Sequence, residues 1–298
     1  MTLYNHSDSN KRKTWFLFLI FLTFVVSIGY LLSVFFEEPV ILYIAAFISF
    51  FSAIFSYWFS DKIVLSMSNA HELKFEDNKE IYRLVENLCI SAGLPLPKIY
   101  IINDPAPNAF ATGRNPKKAV IALTTGLIER LDKSELEGVI AHELSHIKNY
   151  DILLATLTTI LVGTIVILAD MLSRSFLYRN SSRNSDNKNS NIIFVLLAVL
   201  ISILAPLFAY LMQFAISRKR EFLADADGAL ITRYPEGLAR ALEKISQDPH
   251  QLRAVNKATA HLYISSPLKE KKKGFLSKAF MTHPPIEDRV KAFRGMKV

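Results

Sequence analysis

His142-Glu143-Leu144-Ser145-His146 places two imidazoles four residues apart with a carboxylate between them. On a helix, positions four apart share a face, so His142 and His146 can bind one metal ion. Glu143 then acts as the catalytic base on a water polarised by the ion and is not a ligand itself. This is the chemistry of metal-assisted hydrolysis. It calls for a third protein ligand and one position left for water. The stretch 218–229, RKREFLADADGA, offers Glu221. Asp225, four residues on, shares its helical face and can accept the second ring N–H of a ligand histidine, which fixes the tautomer. Two His and one Glu favour zinc, one ion per subunit.

Two helices must carry these groups. In residues 134–150, SELEGVIAHELSHIKNY, Ser134 and Glu137 have the spacing of a capping box. Leu136, Val139, Ile140, Leu144 and Ile147 recur at helical spacing and predict the buried stripe. Upstream, the pattern predicts a small α+β unit. Residues 77–93 read as a helix closing at Gly93, and 98–102 as a strand. Residues 108–113 read as a second extended stretch, Asn115-Pro116-Lys117 as a turn, and 119–123 as a third strand.

The rest of the chain is built for a bilayer. Of 298 residues, 51% are hydrophobic, and 21 are Phe. Spanning takes about 20 apolar residues, and four runs reach that length: 15–36, 40–59, 152–172 and 192–216. Soluble core helices can mimic one such run but not four. The first lacks a small-x-small cleavage site and reads as a retained anchor. Lys11, Arg12 and Lys13 precede it, while Glu37 and Glu38 follow it, which puts the N-terminus in the cytoplasm. The fold class expected is a mainly α membrane protein with four transmembrane helices and a cytoplasmic α+β domain that carries the metal site. Its parts are a cytoplasmic N-terminus (1–14), a transmembrane hairpin (15–59), and a cytoplasmic part with HExxH (60–151). A second hairpin (152–216) and a cytoplasmic part with the third ligand (217–298) follow. Arg174, Arg179, Arg183 and Lys188 in the loop at 173–191 run against this topology. The alternative is that the third and fourth runs form a hairpin that does not cross fully.

HELSH followed at long range by EFLAD resembles the gluzincin metallopeptidases, which implies that the cytoplasmic domain is a gluzincin-type α+β zinc-protease domain. More closely, the chain is similar to the HtpX-like bacterial membrane proteases, relatives of the CAAX prenyl proteases. NAFATG (108–113), TTGLIERL (124–131) and THPPIEDRVKAF (282–293) match that family's pattern. Residues 1–14 and the Ser/Asn-rich loop near 180–191 carry no matching motif. The resemblance implies that Asn108 and Ala109 lie on an exposed edge strand beside the metal. Such a strand can pair with an extended peptide substrate. It also implies that His283 or Arg289 stabilises the charge developing on the substrate oxygen. It further implies a multi-pass protein of the bacterial inner membrane, with its active site facing the cytoplasm. There it would hydrolyse cytoplasmic regions of misfolded membrane proteins, in quality control and the stress response.

Two other readings stand beside this one. One is a processing protease for specific tails, and the other a non-catalytic membrane scaffold with a structural zinc. The net charge of +8 could suggest nucleic acid, but the basic residues cluster at membrane flanks and in segments assigned to the cytoplasm, so no nucleic-acid partner is expected. Protein substrates and the lipid bilayer are the expected partners. Cys89, alone in the chain, reads as a core residue of its helix.

Overall fold

The computed structural model describes residues 3–181, 218–252, 259–265 and 284–295. The fourth apolar run, 192–216, and His283 lie outside these residues. The described chain is mostly helical and divides into two compact units. Of the described residues, one gathers 17–56 and 158–181; the other gathers 3–16, 57–157, 218–252, 259–265 and 284–295.

The first unit draws on α1 (Leu3–Phe36), α2 (Val40–Met67) and α6 (Asp151–Ser181). Among the described residues, Ser7–Phe36, Val40–Met67 and Asp151–Met171 are long and apolar enough to cross a membrane. Helix α1 begins well before the apolar run at 15. Residues 3–14 contain neither Pro nor Gly, so nothing interrupts its backbone bonding. It ends where Glu37 turns left-handed (φ 57°) ahead of Pro39. A Cβ on Gly29 would meet that of Ala45 at 2.3 Å, so only glycine lets α1 and α2 touch there. Phe47, Phe50 and Phe51 on α2 are exposed, as are Leu19 and Leu31 on α1. An apolar surface of this extent calls for a non-aqueous neighbour.

The second unit holds a four-stranded sheet of order β1-β2-β4-β3. Its strands are β1 (Ala70–Glu72), β2 (Lys98–Ile102), β3 (Ala109–Gly113) and β4 (Ala119–Thr124). Strands β2 and β4 are parallel; the other pairs are antiparallel, and β3 is an edge. The three strands expected from sequence are present, and the short β1 is an addition. Helix α3 (Lys79–Ala92) closes on Gly93 in the left-handed region (φ 67°), as its pattern predicts. The helices α4 (Thr125–Arg130), α5 (Lys133–Lys148), α7 (Arg218–Thr232), α8 (Pro235–Gln247) and α9 (Ile286–Arg294) complete the unit.

Helix α5 carries HELSH and is the centre of the core. Its stripe of Leu136, Val139, Ile140, Leu144 and Ile147 is buried in one cluster with Ile121 of β4 and Leu242 of α8. Each such side chain contributes roughly 1.5–3 kcal/mol of burial. The helix starts earlier than Ser134. Asp132 is the N-cap, accepting from the N–H of Glu135, while the Glu135 carboxylate accepts from the N–H of Asp132. The capping box is thus Asp132/Glu135 and not Ser134/Glu137. The reason is that Asp132 lies in extended conformation (φ −72°, ψ 169°), whereas Ser134 is already inside the helix.

Candidate metal centre

The two histidines of α5 project their Nε2 atoms toward each other, 3.1 Å apart. Glu221, in the first turn of α7, brings Oε2 to 3.8 Å from Nε2 of His142 and Oε1 to 3.6 Å from Nε2 of His146. The three residues form a group whose ligand atoms all lie within 4.8 Å of one another. Glycine makes this approach possible. A Cβ on Gly228 would lie 3.1 Å from the backbone nitrogen of His142, so α7 can lie against α5 at this point. His142, Glu143 and Glu221 are buried, and His146 is half-buried. Glu143 and Ala111 of β3 join the three in lining a cleft of about 40 Å³.

The outer ring nitrogens are clamped by carboxylates. His142 Nδ1 donates to Asp225 Oδ1 at 2.9 Å, which is the contact that the helical spacing of Glu221 and Asp225 anticipates. His146 Nδ1 donates to Asp151 Oδ2 at 3.0 Å. Sequence reasoning missed Asp151. It is the first residue of α6, reached through Tyr150 in the left-handed region (φ 59°). The only signal in the sequence was an acid at the head of an apolar run, where a charge is costly unless it is paired.

These clamps leave both Nε2 atoms as acceptors facing a single point, and two lone pairs at that distance repel. Without an ion, the conflict is relieved by a proton. Burial, with Arg289 and His146 nearby, pushes His142 down to about 4 despite the bond to Asp225. Burial also opposes charge on His146, but the Asp151 hydrogen bond and the Glu221, Asp151 and Glu143 carboxylates raise it to about 9. A cation is therefore favoured at the shared point, and a divalent metal fits the donor set of two imidazoles and a carboxylate.

Arg289 reaches the site through Asp225. Its Nε and Nη2 donate to the two carboxylate oxygens of Asp225 at 2.9 and 2.6 Å. Its Nη1 donates to the carbonyl of Ile264 at 3.1 Å, and the side chain is fully buried. Burial works against the charge on Asp225, but Arg289 and the bond to His142 prevail and hold its carboxyl below the usual carboxylate range.

The edge strand is partly covered by the chain itself. The Asn108 carbonyl accepts from Thr124 of β4, so Asn108, Phe110 and Thr112 turn their backbone groups toward β4. Ala109 and Ala111 turn theirs outward. The Ala109 carbonyl accepts from the N–H of Ile264 at 2.9 Å. The Asn108 side chain donates to the Ser265 carbonyl at 2.9 Å. Asn108 and Ala109 are thus engaged by the segment 263–265, and Ala111 is the outward residue that lines the metal cleft.

Comparison with known proteins agrees with this geometry. The sequence profile of "Peptidase family M48" matches residues 76–297. A "Protease HtpX homolog" of Dictyoglomus thermophilum is 47% identical over 99% of this chain and 95% of its own. Proteins of the same name are 42% identical in Tropheryma whipplei (99% and 98% covered) and in Streptococcus uberis (99% and 100%). Among solved structures, that of S. mikatae Ste24p shares the fold, with a TM-score of 0.51 and 22% identity. The similarity covers 94% of this chain and 66% of that one. A group on an HExxH helix that could hold a metal ion, set in a chain that matches the HtpX homologues over 99% of its length, leads to one assignment: the chain belongs to peptidase family M48.

Proposed function

We propose that this protease is a zinc-dependent endopeptidase that cuts cytoplasmic regions of membrane proteins, misfolded ones included. The observation that carries the reading is the convergence of His142, His146 and Glu221 with both outer imidazole nitrogens clamped. Among the described residues the group has three protein ligands, the pattern of a catalytic and not a structural zinc. A bound zinc ion would polarise the scissile carbonyl and acidify water.

The chain's own residues do the rest. Glu143, beside the ligands, takes a proton from the attacking water on its carboxylate and returns it to the leaving amine nitrogen. As the C–N bond breaks, that nitrogen departs as a neutral amine. Asp225 and Asp151 each accept from Nδ1 of a ligand imidazole, so that Nε2 would face the ion. The outward backbone of Ala111 pairs with an extended substrate, next to Ala109 and Asn108. Arg289 holds Asp225, and its charge raises the local positive potential where the substrate oxygen gains negative charge. His283 remains a candidate for direct contact with that oxygen.

The reading includes a multi-pass topology in the bacterial inner membrane, with 192–216 as a fourth span and the metal on the cytoplasmic side. The basic flanks Lys11–Lys13 and Arg218–Arg220 support it. A role in quality control under stress is part of the same proposal.

The test is digestion of casein by full-length protein in detergent, stripped with chelator and then reloaded with zinc. Several zinc-dependent cuts by the wild type, with none by Glu143→Gln that still binds zinc, are expected. One defined cut would favour a processing protease. Zinc-loaded protein cutting nothing, or a Glu143→Gln variant within several-fold of wild type, would overturn the proposal.

A further inference from the structure

We infer that the segment preceding the first apolar run is a working part of the metal centre, with Asn10 as a positioning residue for the ligand His146. This rests on the metallopeptidase reading above and adds a residue to it from a stretch without any motif. Asn10 lies on α1 and is only 3% exposed. A buried primary amide needs partners for both of its N–H bonds. One goes to the carbonyl of Asn149 at 2.9 Å and the other to Asp151 Oδ1 at 2.7 Å. The other oxygen of Asp151 holds His146 Nδ1 at 3.0 Å. A single amide therefore ties together the C-cap of α5, the first residue of α6 and, through Asp151, one imidazole of the metal group.

Two further contacts converge on this junction. Lys11 places its ammonium 4.3 Å from the ring centre of Tyr150, the residue in the left-handed region. Arg220, next to the ligand Glu221, donates from Nη1 to Asp151 Oδ1 at 3.3 Å. Asp151 is thus the point where the N-terminal helix, the HELSH helix and the EFLAD helix meet. Asn10 fixes the direction of its carboxylate. Without that amide, Asp151 Oδ1 keeps the longer bond from Arg220 but loses the shorter one that fixes the carboxylate against the imidazole. A group that holds a ligand imidazole directly, as Asp151 does, is commonly worth about 10- to 100-fold in metal affinity, and Asn10 acts through it.

The experiment uses the full chain in detergent, stripped of metal. Cobalt is titrated and followed by its visible d–d spectrum, and zinc affinity is measured by chelator competition. Asn10→Asp has the same shape but sets a carboxylate against Asp151, and Asn10→Ala removes the donors. The control is Thr14→Ala. Thr14 is buried on the same helix and donates only to the Asn10 carbonyl, so the change perturbs α1 without touching Asp151. The expected result is a loss of at least tenfold in affinity for Asn10→Ala, a larger loss for Asn10→Asp, and an altered cobalt spectrum in both. Thr14→Ala should match the wild type. Wild-type affinity and spectrum in Asn10→Asp, or equal losses in Thr14→Ala and Asn10→Ala, would overturn the inference. Failure of the wild type itself to bind metal would instead strike the metallopeptidase reading.

Discussion

Arg289 grips both carboxylate oxygens of Asp225, at 2.9 and 2.6 Å, from a position with no solvent exposure. Asp225 holds His142, so a residue on the last described helix governs the orientation of a candidate ligand 147 positions upstream. Removing one partner of such a buried pair leaves an uncompensated charge, which costs about 3–5 kcal/mol. Arg289→Ala should lower the thermal midpoint strongly and weaken metal binding. Arg289→Lys keeps the charge but loses the two-pronged grip, and should fall between. Calorimetry of the metal-free and zinc-loaded forms checks both.

Ala111 is the outward-facing residue of β3 beside the cleft. Substituting Pro removes its N–H and leaves the bonds of Phe110 and Thr112 to β4 in place. A hydrogen bond of this kind contributes about 1 kcal/mol, so kcat/KM for a peptide substrate should fall about tenfold or less. Zinc affinity should stay at the wild-type value. An unchanged kcat/KM would mean that substrate does not pair with this strand.

Metal uptake should release a proton in a pH-dependent way. His146 is raised to about 9 in the metal-free protein, above its ordinary 6.5. Its protonated form therefore stabilises the metal-free fold fully below pH 6.5, and this contribution is lost as pH rises through 9. Metal displaces that proton, so release should be near one per ion around neutral pH and vanish above about 9. His142, lowered to about 4, already lacks its proton in this window and adds nothing. Titration calorimetry in buffers of different ionisation enthalpy counts the protons. A constant release between pH 7 and 10 would contradict the assignment.

Asp132 caps the helix that carries the histidines. Asp132→Ala should destabilise the fold by about 1 kcal/mol and leave metal affinity unchanged. Ser134→Ala should have a smaller effect, since Ser134 donates to Asp132 Oδ1 and is not the cap. Denaturant midpoints of the two variants give the comparison.

Local periodicity made much of this legible from sequence. The spacing of His142 and His146, and of Glu221 and Asp225, sets side chains on one face of a helix, and a helix of known period needs no tertiary knowledge to be read. The stripe from Leu136 to Ile147 and the left-handed Gly93 are readable for the same reason. Asp151 was not. It follows the left-handed Tyr150, and that single dihedral turns the chain so that an acid outside the helix points back at His146. Asn10 was less visible still, because its contact joins residues 141 apart in a segment with no repeating pattern. The cover on Ala109 comes from Ile264, in a stretch whose residues bear no edge-strand signature. Ser134 and Asp132 both satisfy the capping motif, and only the backbone angles decide between them.

The bond from Ile264 to Ala109 sets a barrier to pairing between copies of the chain. A bare sheet edge is a template on which a neighbouring copy can zip, strand upon strand. Here the chain lays its own backbone on the first outward position of β3. A copy that would add a strand to β3 must first displace Ile264 from Ala109, so self-pairing is resisted at the first outward residue of this edge.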